Sequence, residues 1–96
     1  MSGTTVISRR VAVGSRVGLH ARPAALIAQA AARVAAAIRI GRDGRDPVDA
    51  RSPLLLMALG AGQGDEVLVE AEGEHAAEAL AEIVALVESD LDATEP

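Results

Sequence analysis

The chain has no cysteine, no lysine, and no phenylalanine, tyrosine or tryptophan. Without cysteine there is no disulfide framework, no thiolate nucleophile and no thiolate metal site. Without aromatic rings there is no platform on which bases could stack, and the formal net charge of -5 opposes a phosphate backbone, so nucleic acid is not expected as a partner. No run of about twenty apolar residues occurs, and MSGTTVISRR lacks the apolar centre of a signal peptide. A soluble, cytoplasmic protein with no membrane insertion is therefore expected. Only two histidines are present, His20 and His75, with no paired ligand spacing, and no phosphate-binding loop followed by lysine occurs. Neither a metal nor a cofactor is expected.

What remains is a chain of 96 residues, half of them apolar, which fits one domain with one modest core. The expected domain spans 1–96, with loosely held ends at about 1–5 and 91–96. Its nine basic residues are all arginines and all lie at or before Arg51, whereas most of the acids follow Asp65. One end of the domain is thereby suited to an acidic partner.

Periodicity gives seven elements. Ile7, Val11 and Val13 share one face of a first strand that ends at Gly14 and Ser15. From Ala21 or Pro23 to about Ala36 the chain is rich in helix formers, with Ile27, Ala31 and Val34 as its apolar stripe. Ile38 and Ile40 then alternate with Arg39, Asp43-Gly44 signals a hairpin turn, and Pro47 demotes the following strand to a sheet edge. Ser52 as N-cap, Pro53 at the first helical position and Gly60 at the end delimit a helix of about two turns. Val67, Val69 and Ala71 alternate with Glu66, Leu68, Glu70 and Glu72 in a fourth strand. Ala76, Leu80, Ile83, Val84, Val87 and Leu91 mark one face of a last helix. The order β-α-β-β-α-β-α predicts an α+β fold in which a four-stranded sheet is covered on one face by helices.

The stretch GLHARPAAL, residues 18–26, is where chemistry is expected. His20 stands at the start of the first long helix, beside backbone N–H groups that have no intrahelical acceptor and that, with the helix dipole, favour an anion. Pro23 lies in the first turn, where its missing N–H costs nothing, and biases Arg22 away from regular helical geometry. The Arg22 guanidinium suits phosphate oxygens, and Arg16 and Arg51 would add charge if the fold brought them close. A neutral imidazole is a competent nucleophile near neutral pH, so a phosphoryl group could be accepted on nitrogen and passed on. Against this stands the ordinary role of a histidine at a helix start, a surface or capping residue.

GLHARPA closely resembles the active-site segment of the HPr family, the histidine-containing phosphocarriers of the bacterial phosphoenolpyruvate-dependent sugar phosphotransferase system. The resemblance covers about residues 9–90, and ARSPLLLMALGAGQGDEVLV resembles that family's second helix and fourth strand at the expected spacing. It implies an HPr-like open-faced sandwich, a four-stranded antiparallel sheet with three helices on one face. His20 would be phosphorylated on Nδ1 by enzyme I and would pass the group to enzyme IIA domains in sugar uptake. Arg22 would interact with the phosphate, with Gly18, Ala21, Pro23 and Arg16 in support. No small-molecule turnover of the chain's own is expected, and a freely exchanging carrier would be a monomer.

Ser52 falls where many family members carry a serine phosphorylated by a kinase, although a capping serine is needed there in any case. Arg51, Leu54, Leu55 and Met57 would belong to the partner surface. Three departures stand out: Val17 replaces the small polar residue common before Gly18, Pro53 replaces an apolar residue after Ser52, and the turn from Arg42 to Pro47 is about one residue longer than usual. Two alternatives remain, a same-fold carrier in a regulatory, nitrogen-type relay, and a non-catalytic interaction domain in which His20 is only a cap. His75 is expected to be an exposed residue at the start of the last helix, and GAGQG a turn.

Overall fold

The computed structural model describes residues 5–91; the expectations for 1–4 and 92–96 lie outside the described residues. Seven elements follow in order: β1 (Val6–Ala12), α1 (Ala21–Arg33), β2 (Ala37–Arg42), β3 (Arg45–Asp49), α2 (Pro53–Ala58), β4 (Glu66–Glu72) and α3 (Ala76–Glu88). The strands form one antiparallel sheet in the order β1-β4-β2-β3. The α+β architecture and the element order agree with the sequence.

Register follows the alternation of side chains. Val11 pairs with Val67, and Val69 lies between Arg9 and Ile40, so β4 brings its apolar residues to the helix-covered face. Val67, Val69 and Ala71 are buried, and the glutamates between them reach the outer face, where Arg39 pairs with Glu70 at 3.4 Å and Glu72 at 3.8 Å. Aromatics are replaced in the core by aliphatics. Ile27, Ile40, Leu56 and Ile83 are the largest fully buried side chains, each contributing about 1.5–3 kcal/mol of burial. Ala24, Ala28, Ala30 and Ala31 are buried on α1, where small side chains suit close packing.

Two helix ends and one strand pairing differ from the sequence reading. The first helix stops at Arg33, three residues before Ala36, because Val34 turns extended and residues 34–36 redirect the chain so that Ala37 can pair with Glu72. The last helix stops at Glu88, so Leu91 lies beyond it, packed against the core from the following turn. The pairing near Pro47 is irregular and forms a bulge: Ile40 pairs with Val48 and Arg42 with Arg45, leaving Asp46 and Pro47 opposite Gly41. A bulge on an edge strand tolerates a proline, which has no N–H to offer a partner.

Candidate functional site

His20 is the N-cap residue of α1, in extended conformation, and its carbonyl accepts the first helical bond from the Ala24 N–H at 2.9 Å. Its side chain is exposed and makes no capping bond. Among the described residues, the Ala21 and Arg22 N–H groups have no acceptor, and Pro23 has no N–H to satisfy. The helix start thus presents two donors beside an imidazole that is not committed to capping.

Arg22 is exposed and makes no ion pair among the described residues. The expected departure of Arg22 from helical geometry does not occur: Ala21 and Arg22 are both helical. Pro23 is the third helical residue, so the carbonyl its ring would oppose lies before the helix, and burial of that ring offsets the steric bias on Arg22.

The turn before His20 is held at two ends. Gly18 adopts φ +72° and lies against the backbone of Ala61 and Gly62, where an added Cβ would strike the Ala61 carbonyl. The Leu19 N–H donates to that carbonyl at 2.9 Å. Upstream, the Gly14 N–H donates to the Val87 carbonyl at 3.0 Å, and Ser15 is 1 % exposed, bonded to the turn after α3. Val17, between the two anchors, is exposed. The GAGQG segment is a turn, as the sequence implied, but it also braces the histidine loop.

The two further arginines are occupied elsewhere. The Arg16 Nε donates to Asp90 Oδ2 at 2.8 Å. Arg51 binds both oxygens of Asp49, through Nε at 3.2 Å and Nη2 at 2.9 Å. That pairing lowers the Asp49 carboxyl and raises the Arg51 guanidinium relative to their ordinary pKa values, by hydrogen bonding first and charge second for Arg51. Arg51 also lines a cleft with Ala32, Ala35 and Ala36, at the end of α1 remote from His20. The 13 residues of α1 separate the two ends by about 20 Å, so the structure does not bring Arg51 to the histidine.

Ser52 caps α2, its Oγ accepting from the Leu55 N–H at 3.2 Å. Leu54 and Leu55 are 74 % and 42 % exposed, whereas Leu56 is buried and Met57 packs partly against the core. The far end of α2 is secured by the β2–β3 hairpin, where Arg45 donates to the Ala58 carbonyl at 2.8 Å and Arg42 to the Leu59 carbonyl at 3.3 Å. Sequence reasoning missed these arginines and also Ser15 and Asp90; a polar residue within the short turn before Gly18 is the only signal that pointed toward Ser15. His75 is exposed, with φ 57°, and its Nδ1 lies 3.2 Å from Glu78. Among the described residues no cluster of ligating side chains could hold a metal ion.

Comparison with known proteins follows the same lines. The family model for the PTS HPr component phosphorylation site matches residues 7–89. The HPr of Streptomyces coelicolor is 38% identical over 84 residues, covering 88% of this chain and 90% of that protein. A crystal structure of HPr from Bacillus anthracis superimposes with TM-score 0.80 at 41% identity, covering 85% of this chain and 96% of that one. The HPr-like protein Crh of Bacillus subtilis is 37% identical over 86 residues, 90% of this chain and all of that protein. Its crystal structure, a dimer with a swapping domain, superimposes with TM-score 0.69 at 39% identity, over 85% of this chain and 93% of that one. With one family model spanning nearly the whole described fold and full-length relatives on both counts, the chain belongs to the HPr family of the phosphotransferase system.

Proposed function

We propose that the protein is a cytoplasmic phosphocarrier that accepts a phosphoryl group from enzyme I on Nδ1 of His20 and delivers it to enzyme IIA domains in sugar uptake. The observation that carries this reading is the state of His20: an exposed imidazole that makes no capping bond, at a helix start with two open N–H groups, in a chain of the HPr family. Attack needs the Nδ1 lone pair, so the proton resides on Nε2. As the Nδ1–phosphorus bond forms, the bond from phosphorus to the donor breaks, and the donor keeps that electron pair. The Ala21 and Arg22 N–H groups and the Arg22 guanidinium then offset phosphate charge.

Transfer in the other direction needs a weak hold, which an exposed site provides. Gly18 and Pro23 shape the loop and the first helical turn, Ala21 offers its N–H, and Leu54, Leu55, Met57 and Arg51 form the partner surface beyond them. A carrier that exchanges partners works as a monomer.

Incubation with enzyme I and labelled phosphoenolpyruvate tests the reading. Acid-labile, alkali-stable label is expected on the wild-type chain, absent from His20→Ala, and chased onto an enzyme IIA domain. Arg22→Ala is expected to slow acceptance about 10-fold or more while leaving the fold intact. Absence of label on the wild-type chain would refute the carrier role.

The likeness to Crh, a protein of catabolite repression, favours a second, regulatory reading in which Ser52 is the modified group. Phosphorylation there would add a charge of about -2 at the start of α2, beside exposed Leu54 and Leu55. An ATP-derived, acid-stable label formed with a serine kinase and lost in Ser52→Ala would establish it.

A further inference from the structure

We infer that the turn after α3 is a latch that sets the position of the phosphoacceptor loop, with Asp90 as a positioning residue acting through Arg16; the inference rests on the reading of His20 as the phosphoryl carrier. Two consecutive residues of the loop are tied to three consecutive residues of the turn, across 74 to 76 positions of sequence. Ser15, buried, donates to the Ser89 carbonyl at 3.2 Å and accepts from the Leu91 N–H at 3.0 Å. Arg16 is held twice by one carboxylate: its backbone N–H meets Asp90 Oδ1 at 3.3 Å and its Nε meets Asp90 Oδ2 at 2.8 Å.

Such an arrangement fixes backbone as well as side chain. A salt bridge alone would leave the loop free to pivot, but a carboxylate that grips the Arg16 N–H fixes the direction in which the chain leaves Ser15. The next fixed points are Gly18, whose N–H donates to the Ser15 carbonyl at 2.9 Å, and Leu19, held by Ala61. Asp90 therefore controls one end of a closed turn whose other end delivers His20. Close approach of the two segments is permitted at Gly14, where a Cβ would collide with the Glu88 carbonyl.

The Arg16 side chain is 68% exposed, and exposed ion pairs contribute little to stability. Its consequence is geometric. A loop freed at one end samples orientations of the imidazole that miss the in-line approach to phosphorus, and misplacement of a reacting group is costly in rate.

The test compares wild type, Asp90→Asn, Arg16→Gln and the double variant. Asp90→Asn keeps the side-chain shape and is expected to lower kcat for acceptance from enzyme I about fivefold with KM nearly unchanged. Gly18 amide exchange is expected to accelerate at least about threefold, and the His20 ring resonances to shift, while Tm stays within about 2 °C. The double variant should be no slower than the worse single one. Wild-type kcat and Gly18 exchange in both single variants would overturn the inference, as would losses that multiply in the double variant or a matching collapse of Tm. If the wild-type chain accepts no phosphoryl group, the carrier reading fails by itself. Gly18 exchange and the His20 ring shift still decide whether Asp90 positions the loop.

Discussion

At the scale of single residues, position decides more than identity. Two histidines each precede a helix, yet only His20 follows a glycine turn braced from two sides; His75 adopts a left-handed conformation and pairs with its own helix through Glu78. The bracing makes Gly18 as consequential as the histidine it delivers. Gly18→Ala is expected to destabilise the fold by at least about 1 kcal/mol, because φ is positive and the methyl would meet the Ala61 carbonyl. Denaturant unfolding checks this, and an unchanged midpoint would show that the turn relaxes at no cost. GLHARPA pointed to His20, Arg22 and Pro23 without coordinates, since they are neighbours in sequence. Asp90 and Ala61 stayed hidden because the contacts that give them meaning join segments more than forty residues apart.

Elements were readable wherever a local signal fixed them. Ser52-Pro53 began α2 and Asp43-Gly44 turned the hairpin as their chemistry requires. The ends of α1 and α3 were not readable, because each is cut short by a tertiary demand: pairing of Ala37 with Glu72, and bonding of the turn after α3 to Ser15 and Arg16. Ser52→Ala should therefore cost about 1 kcal/mol through the lost cap, which corresponds to a fall in Tm of about 4–8 °C. A thermal scan unchanged within error would deny the cap any contribution.

The Asp49–Arg51 pair closes the approach to the same helix, and its pH dependence follows from the sign of the shift. Asp49 is lowered in the folded state, by its hydrogen bonds to Arg51 first. Its contribution is present above the pKa of an unfolded aspartate and is lost as pH falls through the folded value. Both groups are well exposed, so the contribution is small. NMR titration of the Asp49 carboxyl should give a midpoint below that of an ordinary aspartate, returning toward it in Arg51→Gln; equal midpoints in the two proteins would remove the pair from the account.

For the whole molecule, an aliphatic core under a four-stranded sheet leaves both the histidine loop and exposed Leu54 and Leu55 at the surface. All cations precede Asp65 in sequence, and the late acids of β4 and α3 carry the opposite sign. Association with enzyme I should accordingly weaken as ionic strength rises, by about threefold or more between low and physiological salt. Stopped-flow association rates that ignore salt would exclude electrostatic steering.

The central claim is that the imidazole at the start of α1 carries the phosphoryl group on Nδ1. It is tested most directly by phosphorus-31 and nitrogen-15 NMR of the chain labelled at histidine and phosphorylated with enzyme I and phosphoenolpyruvate. The predicted result is a single phosphohistidine signal with phosphorus coupled to Nδ1 of His20, the Ala21 and Arg22 amides shifting as it forms. Phosphorus bonded to Nε2, to His75 or to a serine oxygen would contradict it.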